Sequence, residues 1–566
     1  MSFSFLYNSG TGFKPKVAYF CMEFGIHQPL KTYAGGLGFL AGSYLRSAYE
    51  LKMPVVGIGI LWKYGYYDQV RKADQSMDVQ FQEKNYGFLK KTDIKITIRV
   101  FGHDVTATAF YLAPEVFHTA PVFFLSTDIP ENDYLTKTIC YKLYDSNPET
   151  KLAAAILLGD GGAKLLEALN WLPDIYHLNE SHALPLAFHL YKRSGNLKDV
   201  KSRLIFTNHT PEPGGNQQSS VSLLNKAGFF LDLPMDEVRK ITGVSNDTLD
   251  HTLTALRFAG IANSVSKLHL QSLQNSWIEY NDICQMINIT NAQSFSYWHD
   301  DILYKAMYTQ SDEALRARKH ELKRQLFEEV ADQNGEIYDE NILTIVFAKR
   351  FGGYKRPELL LNNMERFNRL ITSKDRPVQL IWAGKPHPMD YTSIASFDKI
   401  VNVCKSYPNC SILSGYEMKL SRMLKQGADV WLNLPRLTHE ASGTSGMSAA
   451  MNGAVNVSIP DGWVPEFAKD NVNCFIIPPA DTRLHEHQQD EADANALYDL
   501  LEKKVIPMYY DDQPAWCGII KSAMRDIIPQ FDSIRMVREY YEKMYEGNPC
   551  AVKTNLPEKD MAPAVG

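Results

Sequence analysis

The sequence has no uninterrupted apolar run of about 18 residues, the length needed to cross a bilayer. Its first residues, MSFSFLYNSGTGFKPK, lack the basic start and apolar centre of a secretory signal, so a cytoplasmic location is expected. The eight cysteines form no CxxC pair and no cysteine/histidine zinc spacing. They are expected as free thiols of a reducing compartment, with no metal bound. Basic residues are not in excess: 59 Lys and Arg against 65 Asp and Glu leave a net charge of −6. Neither nucleic acid nor an anionic membrane has a bulk electrostatic reason to bind such a chain. No internal repeat is present. The balance of 45% hydrophobic to 22% charged residues excludes a largely disordered protein.

What is present is an alternation of buried-strand and helix patterns. At 566 residues the chain is too long for one hydrophobic core. Short apolar runs at 17–22, 55–61, 122–125, 175–178 and 204–207 predict strands, and 94–111 predicts a hairpin turning at Gly102-His103. A second series, at 342–348, 378–383, 410–413, 430–434 and 455–459, alternates with helical periodicity. The fold class expected is α/β, two doubly wound Rossmann-like halves facing a central cleft. The expected boundaries are 1–270 and 336–530 for the halves and 271–335 for a connection poor in strand signals. A helix at 531–546 is expected to cross back onto the first half, and 547–566 to be a disordered tail.

In such a sheet, ligands bind beyond the carboxyl ends of the strands, and the polar clusters of this chain fall there. One strand ends in Asn179-Glu180-Ser181-His182 and another in Asn208-His209. Gly35, Gly36 and Leu37 lie between a strand and a helix, where backbone N–H groups can approach an anion. Arg350 and Lys355 flank Gly352-Gly353 at a strand end, a fork and a point charge suited to phosphate. After Glu440 come only small residues, Ala441 to Gly446, and then a helix pattern. That run lets the backbone come close to a ligand.

Together these stretches resemble the α-glucan phosphorylases, especially their short bacterial and archaeal type. YAGGLGFLAG, HLNESH, FTNHTPEP, VFAKRFGGYKRP, IWAGKPHPMD, DVWLNLPR and EASGTSGM…AMNG occur in order over residues 17–467, about four fifths of the chain. The resemblance implies a retaining glycosyltransferase of the GT-B fold, with the glucan or acceptor on the first half and phosphate or donor on the second. Phosphate attacks the terminal glucose of an α-1,4-glucan or maltooligosaccharide and releases glucose 1-phosphate. It implies Arg350 and Lys355 on phosphate, with Tyr354 touching sugar or phosphate. Gly35, Gly36 and Leu37 take the glycine-rich turn near the phosphates. His209 attends the glucosyl unit with Asn179 and His182 as neighbours, while Glu440, Ser442, Gly443 and Thr444 form the loop on the glucose hydroxyls. A homodimer is compatible with it.

One position departs from the pattern. The resemblance implies pyridoxal phosphate, bound as an imine to the lysine that follows the loop's methionine. Here Met447 is followed by Ser448, which has no amine. Three chemistries stay open at this point. One is a phosphorylase that holds its cofactor differently. Another is a PLP-independent transferase like the glycogen and starch synthases, using a nucleotide sugar. The third is an inactive glucan-binding protein.

Overall fold

A computed structural model describes residue 10 and residues 12–211 and 215–550. It is an α/β structure built on two large, mainly parallel sheets. The first has nine strands in the order Gln285–Asn288, Ile261–Ser264, Leu204–Thr207, Ile175–Asn179, Val17–Phe20, Val55–Ile60, Val122–Ser126, His103–Leu112, Lys90–Val100. All pairings are parallel except those of the long hairpin formed by the last two strands. The second sheet is wholly parallel, in the order Cys410–Leu413, Val378–Ala383, Leu343–Ala348, Val430–Asn433, Val455–Ser458, Phe475–Ile476.

Central strands such as Val17–Phe20, Val55–Ile60 and Leu343–Ala348 are buried along their whole length. Helices cover both faces of a sheet of this kind, so its strands need apolar residues on both sides. The strand order reverses beside Val17–Phe20 and Leu343–Ala348, and loops after such strands open into a crevice.

Two expectations of organisation need correction. Residues 285–288 lie inside the stretch expected to be a connection, yet they pair in parallel with Ile261–Ser264 and form an edge of the first sheet. The edge strand QMIN is short and only partly buried, so it carries little hydrophobic pattern. The first residues of the expected tail are also ordered by contacts. Asn548 is buried and its side-chain amide donates to Lys201 O at 3.0 Å and Ser202 O at 3.1 Å. The rest of the expected disordered segment, from 551 on, lies outside the described residues.

An unanticipated hairpin, Asp68–Arg71 with Met77–Gln80, ties the first sheet's connections to the second sheet. Gln69 Nε2 donates to Gly384 O at 2.9 Å, Tyr67 OH to Pro386 O at 2.8 Å, and Met77 N to Asp398 at 2.7 Å. The chain returns to the first sheet through helix Ser533–Tyr540, which packs on helix Gly36–Glu50. The buried Tyr545 hydroxyl meets Tyr44 OH and lies 2.9 Å from His177 Nδ1, under the centre of the first sheet. Replacing Tyr545 by Phe leaves two buried polar groups short of a partner. It should lower the urea midpoint of unfolding by the equivalent of about 1–2 kcal/mol. An unchanged midpoint would show that this contact does not hold the C-terminal segment.

Candidate active site

A cavity of about 540 Å³ lies where the carboxyl ends of strands from both sheets converge. Gly35, Gly36, Leu37, His182, His209, Arg350, Tyr354, Lys355, Glu440, Ser442, Gly443 and Thr444 all line it. Asn179 stands behind this wall, with its Oδ1 2.7 Å from His209 Nε2. Ser448 is fully buried in helix Ser445–Ala450, and its hydroxyl donates to Ser445 O at 3.3 Å.

The glycine turn is held by Glu23. One carboxylate oxygen accepts the N–H groups of Ala34 at 2.6 Å and Gly35 at 3.0 Å, and the other accepts Tyr144 OH at 2.7 Å. A Cβ on Gly35 or Gly36 would meet nothing within 4 Å, whereas one on Gly38 would lie 2.6 Å from Tyr33 Cβ. Packing therefore demands Gly38, while Gly35 and Gly36 leave bare backbone on the cavity wall.

On the far side of the first sheet's wall, Glu180 follows its strand at φ 69, a left-handed conformation that strains a residue with a side chain. Its carboxylate accepts the backbone N–H of His209. Burial pushes the Glu180 carboxyl up to about 7. Burial also lowers His182 to about 4. His209 falls to about 3 through burial and the neighbouring His269 and His182. Both rings are neutral at pH 7, and His209 is positioned by its hydrogen bond to Asn179 rather than by charge.

The second sheet supplies the cations. Lys349 and Arg350 follow strand Leu343–Ala348, and Lys355 comes from the next turn. Buried Lys349 donates to Asn433 and lies 3.4 Å from Ser445 Oγ. Burial and the charge of Lys355 lower Lys349 to about 7, against the pull of Glu440. Lys355 is ion-paired with Glu440. Burial alone would depress its ammonium, but Glu440 outweighs that and holds it above the ordinary lysine value. Glu440 shows the converse: burial would raise its carboxyl, and Lys355 and Lys349 bring it below the usual range. Arg350 remains solvent-accessible and has neither a hydrogen bond nor an ion pair to any described residue.

The loop from Glu440 to Gly446 is fixed from behind. Asp461 accepts the backbone N–H of Glu440 at 2.9 Å, and Ser266 Oγ donates to Ala441 O at 2.7 Å. Gly443 has φ +85, and a Cβ there would press 3.2 Å from Glu440 Cγ. Three buried polar atoms of the cavity wall have no partner: Ser442 Oγ, His182 Nδ1 and Asn291 Oδ1. An unpartnered buried donor or acceptor costs about 1–3 kcal/mol unless a ligand or water completes it. The cavity is thus suited to an anion near Arg350 and a hydroxyl-rich molecule near these groups.

Pyridoxal phosphate, which the sequence pattern implies, asks two things of such a site. Its phosphate needs cations, and Lys349, Arg350 and Lys355 meet that demand. Its aldehyde needs an amine, and helix Ser445–Ala450 contains no lysine. Among the described residues no group of three or more His, Cys, Asp or Glu is placed to hold a metal.

Sequence reasoning missed Glu23, Glu180, Lys349, Lys385 and Asn291 as parts of this site. Lys349 was legible as a third cation of KRFGGYK, adjacent to Arg350. Glu23 acts through a turn 11 residues away, which no local pattern announces. A pH test follows from Glu180. Its folded pKa lies above the unfolded value, so its stabilising contribution is complete below about pH 4.5 and is lost as pH rises through about 7. Relative to Glu180→Gln, the natural chain should lose stability across that window in parallel thermal melts. A constant difference between the two would contradict the buried, proton-holding carboxyl.

The chain is similar in sequence to known proteins. The carbohydrate phosphorylase family model matches residues 260–543. An uncharacterized protein of Methanocaldococcus jannaschii is 44% identical over 94% of this chain and 99% of its own length. Maltodextrin phosphorylase of Thermococcus litoralis is 32% identical, with 94% of this chain and 70% of the relative covered. Glycogen phosphorylase of Aquifex aeolicus is 28% identical, over 94% of this chain and 86% of its own. With those motifs converging on one cavity, the chain belongs to the carbohydrate phosphorylase family.

Proposed function

We propose that this protein transfers the terminal glucosyl unit of an α-1,4-glucan to inorganic phosphate, releasing glucose 1-phosphate with retained configuration. The two sheets and their helices are read as the halves of a GT-B enzyme with the cavity as its active site. The observation that carries this reading is Arg350. It is a guanidinium with no ion-pair partner among the described residues, in the same cavity as the unpartnered Ser442 Oγ, His182 Nδ1 and Asn291 Oδ1.

In the reaction, the bond between glucosyl C1 and the glycosidic oxygen breaks and a bond from C1 to a phosphate oxygen forms. The departing O4 takes the proton that the phosphate gives up. Arg350 binds the phosphate as a bidentate fork, and Lys355, held by Glu440, adds a fixed positive charge. Glu440, Ser442 and the bare backbone at Gly443 and Thr444 orient the glucose hydroxyls. His209, kept neutral and oriented by Asn179, offers its imidazole to the glucosyl unit without adding positive charge against the oxocarbenium-like centre. A pyridoxal phosphate bound at these cations would supply a second phosphate group beside the first. Such fixed donors are worth about 3 kcal/mol each to a developing charge.

Arg350→Ala should therefore reduce glucose 1-phosphate formation from maltooligosaccharide and phosphate by roughly 100-fold. Unchanged rates would remove Arg350 from the phosphate site. A natural chain that makes no glucose 1-phosphate but extends maltooligosaccharides from UDP-, ADP- or GDP-glucose would overturn phosphorolysis in favour of a nucleotide-sugar synthase.

A further inference from the structure

A second cavity, of about 320 Å³, shares no lining residue with the active-site cavity. It lies at the amino ends of strands in the second sheet, where Asn341 precedes Leu343–Ala348 and Asp429 precedes Val430–Asn433. Helix Asp312–Asn334, which packs on helix Gln513–Phe531, forms its walls together with helix Ile506–Asp511. The deepest polar groups are incompletely satisfied. Asp429 is 4% exposed, and its Oδ2 accepts Lys323 Nζ at 2.6 Å and Thr344 N at 2.9 Å. Its Oδ1 accepts no hydrogen bond from a described residue, yet it is not sealed from solvent. Trp516, 2% exposed, lines the wall beside Tyr509, with the ring centroids 5.5 Å apart. Its Nε1 likewise has no acceptor among the described residues and is not sealed. Lys319 is saturated, since its ammonium donates to the carbonyls of Gln426, Ala428 and Asn452. At the rim, the side chains of Glu313, Arg316 and His320 have neither a hydrogen bond nor an ion pair to a described residue.

We infer that this cavity is a second ligand site, which takes an uncharged saccharide unit on Asp429 Oδ1, Trp516 Nε1 and Arg316. A hydroxyl group both donates and accepts, so a sugar can give a hydrogen bond to the free carboxylate oxygen and receive others from the indole and the guanidinium. Its C–H faces can rest against the apolar walls that Tyr509, Trp516, Leu315 and Ile520 provide. Charge selects against ions. Arg316 and Lys319 balance Glu313 and Asp429 in the lining, so no net field draws a charged ligand. An ammonium brought to Asp429 would meet Lys323 already bound there, and an anion brought to Arg316 would meet Glu313 on the same rim. A hydroxyl meets neither obstacle. It also completes buried polar atoms that are costly to leave without partners. Because the two cavities share no residue, this site can fill whether or not phosphorolysis occurs in the other.

A free sugar and the end of a longer glucan present the same hydroxyls, so the test uses both. Hydrogen–deuterium exchange of the full-length protein is followed by mass spectrometry during titration with glucose and, separately, with maltotriose. Glycine and inorganic phosphate serve as the charged comparisons. The expected result is saturable slowing of exchange in peptides covering 312–320 and 509–520. Slowing by both sugars identifies a single unit as the ligand, and slowing by maltotriose alone identifies a chain; each supports the site. Trp516→Phe keeps an aromatic ring and removes Nε1, and Arg316→Ala changes an exposed position. Each should raise the half-saturating sugar concentration for these peptides by roughly five- to tenfold, the worth of one lost hydrogen bond. Melting temperatures check that both variants fold, and peptides covering 440–446 should respond to sugar as in the natural chain. No saturable slowing at 312–320 and 509–520 with either sugar, slowing by phosphate or glycine alone, or unchanged half-saturation in both variants would overturn the inference.

Discussion

The site is organised by an excess of positive charge gathered around one cavity. Five cationic side chains line the cavity, Lys151, Lys349, Arg350, Lys355 and Lys385, against three carboxylates, Glu23, Glu180 and Glu440. The whole chain carries a net charge of −6, so this concentration is local and built. Desolvating cations without enough partners is costly, and the structure answers in three different ways. Lys355 is paired with Glu440, Lys349 is pushed toward neutrality at about 7, and Arg350 keeps its solvent access. Each answer leaves the cavity ready to gain free energy when an anion arrives. The anion would relieve repulsion between Lys349 and Lys355 as well as bind Arg350.

The opposite wall is arranged around hydrogen bonding. Glu23 is consumed by the glycine turn, and Glu180 holds a strained backbone and orients His209. Neither is a free base. Their effect is to present ordered N–H groups, a neutral imidazole and unpaired side-chain atoms to a ligand. Strain of this kind costs on the order of 1–3 kcal/mol and persists only where the surroundings fix it. At Glu180 the fixing contacts are its own N–H on Thr207 O and its carboxylate on His209 N.

Strands with dense apolar runs were legible in the sequence because burial on both faces requires such runs, as at Val55–Ile60 and Val378–Ala383. The edge strand Gln285–Asn288 and the hairpin Asp68–Arg71 with Met77–Gln80 were not, since half-exposed strands are stabilised by pairing and tertiary contacts and not by composition. The same division holds in the site. Arg350, Glu440 and the glycines could be read from local chemistry at strand ends. Glu23 became visible only through a turn; buried Lys425, outside the cavity lining, became visible only through helix packing. In sequence, Lys425 sits in the helical pattern KLSRMLKQG and reads as one more solvated cation. Only the packing of its helix shows that it points inward.

Lys349 also acts on Lys425. Burial is the larger cause of the lowered proton affinity of Lys425, and the charge of Lys349 adds to it. Lys349 has Asn433 and the paired Lys355–Glu440 charges beside it, while among the described residues Lys425 has aromatic faces. The proton deficit therefore falls on Lys425. A phosphate placed among Lys349, Arg350 and Lys355 would favour their charged forms without supplying an acceptor to Lys425. The geometry thus separates two kinds of group that adjoin in space: cations on the cavity wall, and one amine behind them that lies against the Trp298 and Phe39 rings.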